Sequence, residues 1–211
     1  MQILAIDTAS PTPSVTLLAR GGVWEQSLPQ DRRASEELLP AIERCLAAAG
    51  ATLPECDRIA VCSGPGSFTG LRVGLATAWA LGRAAGVPVE MVPTLEVLAE
   101  TARARASTRV AAALDAGRGE VVLALYSLAG ARARPEAPPE RMSADTARRR
   151  VDGIPVVALP ADLLSPTGAA PDLSPSLALA LAVARAPGET LSRLEGIYSR
   201  PSAAEEKHGA P

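Results

Sequence analysis

Ile3-Leu4-Ala5-Ile6-Asp7 and Val110-Ala111-Ala112-Ala113-Leu114-Asp115 are the two stretches whose likeness decides the fold. Each is a short, unbroken apolar run, which suits a strand buried on both faces, and each ends on an aspartate. A polar loop, Thr8 to Pro13, follows Asp7. A second strand comes next, in which Val15, Leu17 and Ala19 alternate with Ser14, Thr16 and Leu18. Gly21-Gly22 marks a tight turn into a third strand, Val23 to Leu28. After Asp115, the loop Ala116 to Gly119 leads into a strand over Val121 to Tyr126 and a turn at Gly130. Strand, aspartate, loop, strand and glycine turn thus occur twice, about 108 residues apart. The repeat predicts an α/β protein of two related lobes, an N-terminal lobe over 1–104 and a smaller C-terminal lobe over 105–201.

The segments between these strands read in the same way. Ser35, Glu36 and Glu37 open a helix in which Leu38, Leu39, Ile42, Leu46 and Ala49 recur at helical spacing, with Pro40 kinking its first turns and Gly50 ending it. A buried strand over Arg58 to Ser63 runs into Gly64-Pro65-Gly66-Ser67-Phe68-Thr69-Gly70. A helix over Leu71 to Ala85 follows, then a strand over Val87 to Val92, then a helix from Pro93 and Thr94 to about Ala104. Residues 131–153, rich in Arg, Ala and Pro, read as exposed, variable structure. Ile154 to Leu159 reads as a late strand, Leu173 to Ala186 as an apolar helix, and 202–211 as a disordered tail.

Composition removes several classes of function. With 211 residues, 47% hydrophobic and 21% charged, the chain is long and apolar enough to bury a core. Its uncharged apolar stretches are shorter than the roughly 18 residues a membrane span requires. Asp7 cuts the first apolar run too early for a secretory signal, so the expected compartment is the cytoplasm. Twenty-one Lys and Arg stand against 23 Asp and Glu, and the aromatics number five, Trp24, Phe68, Trp79, Tyr126 and Tyr198. Neither a basic stripe nor stacking platforms for bases are in prospect, so any action on nucleic acid is expected through a partner. The single histidine, His208, and single lysine, Lys207, sit near the end. A two-histidine metal site, a Walker A lysine and a Schiff-base lysine are therefore not expected. Cys45, Cys56 and Cys62 lack any C-x-x-C spacing and read as reduced thiols.

Three features are candidates for function. In the run 64–70, Gly64, Gly66 and Gly70 allow close approach, while Ser67 and Thr69 add hydroxyls before a helix. A phosphate cradle and a purely structural turn both fit this pattern. The G-x-G-x-x-x-G spacing and the mid-strand place of Glu90 do not match a dinucleotide-binding fingerprint. Asp7 and Asp115, with Thr8 and Ser10, either line one cleft between facing lobes, where they could hold a hydrated metal and a phosphate, or cap their own loops. Gly74, Ala78 and Gly82 form a stripe of small residues flanked by Leu71, Leu75, Trp79 and Leu81. The stripe reads as a surface for close packing, favouring a subunit interface over the protein's own sheet.

Five segments resemble the TsaB (YeaZ) family. They are Ile3 to Ser10, Leu38-Leu39-Pro40-Ala41-Ile42, the run Gly64 to Gly74, the turn Asp115-Ala116-Gly117-Arg118-Gly119-Glu120-Val121, and Tyr198-Ser199-Arg200. The run Gly-Pro-Gly-Ser-Phe-Thr-Gly-Leu-Arg is the most specific of these. The resemblance implies two RNase H-like lobes of the actin/sugar-kinase/Hsp70 type with a degenerate inter-lobe cleft. It implies a non-catalytic subunit needed for N6-threonylcarbamoyladenosine modification of the tRNA adenosine 3′ of the anticodon. The partners implied are a catalytic paralogue, TsaD, and an ATPase, TsaE, with homodimer formation when alone, and with tRNA met only through the complex. Family members associate through their first two helices, which here places Leu38, Leu39, Ile42, Leu46, Leu71, Gly74, Leu75, Ala78, Trp79 and Gly82 at the interface. No cofactor is firmly implied, and ATP or ADP at the complex interface stays open. Ala34 stands before Ser35 where many members carry histidine. A stand-alone nucleotide-binding or peptidase-like hydrolase of the same superfamily is the alternative.

Overall fold

The computed structural model describes residues 1–29, 34–104, 108–164 and 173–191. The tail 202–211, Tyr198-Ser199-Arg200, Lys207 and His208 lie outside the described residues.

The first lobe is built on a six-stranded sheet. Strands β1 (Ile3–Asp7), β2 (Ser14–Ala19) and β3 (Gly22–Ser27) form an antiparallel meander. Helix α1 (Ala34–Ala49) and a short 3₁₀ turn (Leu53–Glu55) then lead to β4 (Arg58–Cys62), which lies parallel to β1 with Ile6 opposite Val61. Helix α2 (Phe68–Ala85) returns the chain to β5 (Val89–Val92), parallel to β4. Every residue of β1 is buried, as its unbroken apolar run requires of a central strand. Pro40 lies inside α1 without ending it, and α1 carries Glu36 and Glu37 in its first turn, where the helix dipole favours negative charge. Helix α2 begins within the glycine-rich run, three residues earlier than the apolar spacing indicates. The Ser67 hydroxyl accepts the Gly70 N–H at 3.2 Å, so the cap lies inside the run itself. Gly86, with φ 69°, closes the helix in a left-handed C-cap.

Helix α3 (Thr94–Thr101) passes to the second lobe, ending short of the expected Ala104. Its sheet contains β6 (Arg109–Gly117), β7 (Glu120–Ser127), β8 (Arg134–Pro135), β9 (Glu140–Ser143) and β10 (Val156–Leu159). β6 and β7 are antiparallel, whereas β10 joins β6 in parallel. The segment 131–153 is largely exposed but not irregular: β8 and β9 both pair with β7, and α4 (Ala144–Arg150) follows, capped by Ser143. The two sheets share one plan, a central strand flanked by its hairpin partner on one side and a later parallel strand on the other.

The division at residue 104 is corrected at the C-terminal end. Helix α5 (Pro175–Arg185) packs on β1, β2 and β4 of the first sheet, and β11 (Glu189–Thr190) pairs antiparallel with β5. The chain thus returns to the first lobe after building the second. The first sheet is covered on both faces. Leu4, Ile6, Leu17, Ile59 and Val61 meet Leu38, Ile42, Leu75 and Ala78 of α1 and α2. On the other face Ile3, Ala5, Ala60 and Cys62 meet Ala178, Leu179 and Val183 of α5, with Val97 of α3. Among the described residues, no helix is long and apolar enough to cross a membrane.

Candidate functional site

The carboxyl ends of β1, β6 and β10 and the run between β4 and α2 converge on a cavity of ≈ 450 Å³ between the lobes. From the first lobe it is lined by Thr8, Ala9, Ser10, Pro11, Pro13, Pro29, Ser35, Pro65, Gly66, Ser67, Thr69, Gly70 and Val73. The second lobe supplies Leu114, Asp115, Val122 and Leu159. Of the nine residues named as ligand candidates from sequence, seven meet here: Thr8, Ser10, Gly66, Ser67, Thr69, Gly70 and Asp115. Asp7 and Gly64 do not line it.

Asp7 is fully buried beneath the loop that follows it. Its Oδ1 accepts the N–H groups of Ala9 (3.0 Å) and Ser10 (3.2 Å), and its Oδ2 accepts the Ser10 hydroxyl. Burial raises its pKa above the ordinary aspartate value, against the opposing hydrogen bonds from Ser10 and Ala9. The Cys62 thiol lies against it and is raised well above the usual range, by burial first and by the Asp7 charge second. Of the two readings left open for the aspartates, capping holds for both and facing the cleft for one. Asp115 lines the cavity, whereas Asp7 is consumed as a loop cap. Asp115 also caps, since its Oδ1 accepts Gly117 N–H at 2.7 Å.

Close contact accounts for the glycines of the run. A Cβ on Gly66 would strike the Ala9 carbonyl, and one on Gly70 would strike the Thr8 carbonyl. Ser67 N–H donates to Ala9 O at 2.9 Å and the Thr8 hydroxyl to Gly70 O at 2.7 Å, so the two loops are sewn edge to edge. Gly64, with φ 100°, exchanges hydrogen bonds with Thr94 at the start of α3. Glu90 is held by Arg58 and Gly188 N–H, a structural use of its carboxylate. Among the described residues, no group of three or more His, Cys, Asp or Glu is placed to hold a metal ion.

The ten residues named for a partner interface are mostly turned into this chain's own core. Leu38, Ile42, Leu71, Gly74, Leu75, Ala78 and Gly82 are buried within this chain, and Leu46 and Trp79 are half-buried against the same core. The small-residue stripe of α2 serves the protein's own sheet. A Cβ on Gly74 would meet the Thr8 hydroxyl, and one on Gly82 would meet Val89. Of the ten, Leu39 is open, at 50% exposure.

Sequence reasoning missed the lining prolines Pro11, Pro13, Pro29 and Pro65 and the apolar Val73, Leu114, Val122 and Leu159. Leu114 and Leu159 had a signal. They lie towards the carboxyl ends of β6 and β10, the strands of the second lobe that correspond to β1 and β4, where a facing pair of lobes must meet.

Two α/β lobes on one strand plan, with the cavity at their carboxyl ends, define an RNase H-like protein of the actin/sugar-kinase/Hsp70 type. The family model "TsaD: tRNA N6-adenosine threonylcarbamoyltransferase" matches residues 19–148, more than half the chain. The chain is 40% identical to the tRNA threonylcarbamoyladenosine biosynthesis protein TsaB of Escherichia coli over 127 residues, 60% of this chain and 55% of that one. It is 32% identical to TsaB of Bacillus subtilis, covering the same shares. The solved YeaZ of Pseudomonas aeruginosa superposes with a TM-score of 0.72 at 29% identity, covering 89% of this chain and 95% of that one. The matches span about half the length of the curated relatives. The chain belongs to the TsaB/YeaZ branch of this family.

Proposed function

We propose that this chain is an accessory, non-catalytic subunit in N6-threonylcarbamoyladenosine modification of tRNA, which binds and orders a TsaD-type catalytic paralogue. Kinship with proteins named for that biosynthesis supports the process. The observation that carries the accessory role is the donor set of the cavity. Asp115 is the one charged side chain among its described lining residues, and Asp7, the natural second carboxylate, is turned inward and saturated by Ala9 and Ser10. With one carboxylate, the described lining supplies no paired acid and base, which favours a binding role over a catalytic one.

In this role the chain acts by contact. Helices α1 and α2 cover one face of the first sheet and keep Leu39 outward, with Leu46 and Trp79 partly accessible beside the core they seal. A partner that buries this side removes apolar surface from water and selects the arrangement of the catalytic lobe that fits it. A TsaE-type ATPase would join the same assembly. Transfer RNA would be met only through it, and the same face would serve self-association when the partner is absent.

The test is reconstitution of tRNA modification from a threonylcarbamoyl-AMP source, TsaD-type and TsaE-type proteins and tRNA, with and without this chain. Modified adenosine is expected only when the chain is present. Full-rate modification without it would overturn the role, as would threonylcarbamoyl transfer by the chain alone.

A further inference from the structure

Helix α3 belongs to two cores at once, and each of its residues is buried. Leu95 and Leu98 lie in the core of the second lobe with Val110, Tyr126 and Val157. Val97 lies instead with Leu179 and Val183 of α5, against the first sheet. At the start of the helix, Thr94 N–H donates to Gly64 O at 2.8 Å and Thr94 Oγ1 accepts Gly64 N–H at 3.1 Å.

The loop 128–133, which leaves β7 in the second lobe, is held by the end of the same helix and by α5. Arg103, just past α3, donates to Leu128 O at 2.7 Å and to Gly130 O at 3.2 Å. Arg185 of α5 donates to Ala131 O at 3.0 Å. Ala133 N–H donates to Glu100, which also accepts from Arg103 and Arg185. Arg132, inside this loop, reaches Glu96 at 2.8 Å and Ala186 O at 3.4 Å. The segment that follows α5 is gripped by the first lobe as well, because Gly188 N–H donates to Glu90 of β5, itself paired with Arg58.

This arrangement leaves no free hinge. If α3 turned with the second lobe, Val97 would leave α5, the Gly64 bonds would part, and Arg185 would lose Glu100. If α3 stayed with the first lobe, Leu95 and Leu98 would leave their core, and Arg103, Glu96 and Glu100 would lose the loop. Either rotation separates charged groups where water has little access. The Glu100 side chain is 0% exposed, Glu96 11% and Arg132 13%. A charge left unpaired at such depth is far more costly than one at the surface, so both rotations are opposed.

We propose that this clasp is an inter-lobe lock. Arg132 and Arg185 fasten the second lobe to the end of α5, α3 is held by both lobes, and the cavity keeps one width instead of opening and closing. Arg132 and Arg185 are positioning residues in this role.

The test is a distance measurement by double electron–electron resonance on the full chain, with spin labels on Ala84→Cys of α2 and Asp152→Cys beyond α4. Both positions are exposed, whereas Cys45, Cys56 and Cys62 are buried. Dilution with unlabelled protein restricts the reading to distances within one chain. With the clasp intact, one narrow distribution is expected. Arg132→Ala combined with Arg185→Ala should at least about double its width or add a second peak, as release of a hinge requires. Arg109→Ala, which removes an exposed pair with Glu136 inside the second lobe, should leave the distribution unchanged. Circular dichroism and thermal melting report folding. If the double variant unfolds, Arg185→Ala alone, at a side chain 35% exposed, carries the test and should also broaden the distribution. A broad or two-peaked distribution with the clasp intact would overturn the proposal. So would an unchanged distribution in a folded clasp variant, or equal broadening by Arg109→Ala. These readouts need no partner, so their outcome is separate from that of the reconstitution.

Discussion

Gly70 has no room for a side chain, since the backbone carbonyl of Thr8 occupies the place of its Cβ. Backbone yields less readily than a side chain tip. Gly70→Ala is therefore expected to destabilise the protein by about 2–3 kcal/mol, read from urea unfolding. Asp7 makes a prediction of opposite sense for its charge and its shape. Its folded pKa is raised above 3.8, so ionisation costs stability. That cost sets in as pH rises from near 3.8 and is complete once pH passes the folded value. Asp7→Asn, which keeps an acceptor for Ala9 and Ser10 N–H, should flatten this part of the pH–stability curve measured between pH 3 and 8. Asp7→Ala leaves three donors unpaired and should cost about 3 kcal/mol. At this scale the sequence was ambiguous for a physical reason. A phosphate cradle and a close loop-to-loop contact both demand glycine and short hydroxyl residues. The residue types of 64–70 mark a special backbone without saying what comes near it.

Adjacent leucines on α1 separate packing from docking. Leu38 is 1% exposed against the sheet, while Leu39 points outward. Leu38→Ala should cost about 2–5 kcal/mol. Leu39→Asp should change unfolding free energy by less than about 0.5 kcal/mol, yet weaken capture of the TsaD-type partner in a binding assay. On α2, alanine at Gly82 would add helix propensity of about 1 kcal/mol. Its Cβ would nonetheless press on Val89 and the Val87 carbonyl, so Gly82→Ala is expected to lower the melting temperature. Strand and helix positions were largely legible, because apolar periodicity and caps are local signals. The burden carried by the stripe Gly74, Ala78, Gly82 was not. Small residues at four-residue spacing state that something approaches closely, but they do not distinguish the chain's own sheet from another subunit. Burial of that face on β1, β4 and β5 decided it.

Across the whole molecule, buried glutamates tie the lobes together. Glu100 of α3, buried, accepts from Arg103, from Arg185 of α5 and from Ala133 N–H, while Glu96 pairs with Arg132, itself bonded to Ala186 O. Burial alone would raise the Glu100 pKa, but the hydrogen bond from Arg103, the Ala133 amide and the Arg185 charge more than offset it and hold the carboxyl below its usual value. Its stabilisation is therefore full above about pH 4.5 and is lost as pH falls through the folded value. Glu100→Ala strands two arginines that keep partial contact with water, so the low end of the buried-pair range applies, about 3 kcal/mol at pH 7 and less in acid. Urea unfolding at pH 7 and pH 3.5 checks both values.

The paired strand plan, the aspartate closing each opening apolar run, the glycine-rich run before α2 and the family could be read along the chain, because each is written within a few adjacent residues. It took the folded molecule to show that Asp7 turns inward while Asp115 lines the cavity, that the stripe of α2 packs on the chain's own sheet, and that α5 and β11 return to the first sheet. Those outcomes depend on which distant surfaces meet. A residue's type fixes what it can bond to, and the fold alone fixes what it reaches.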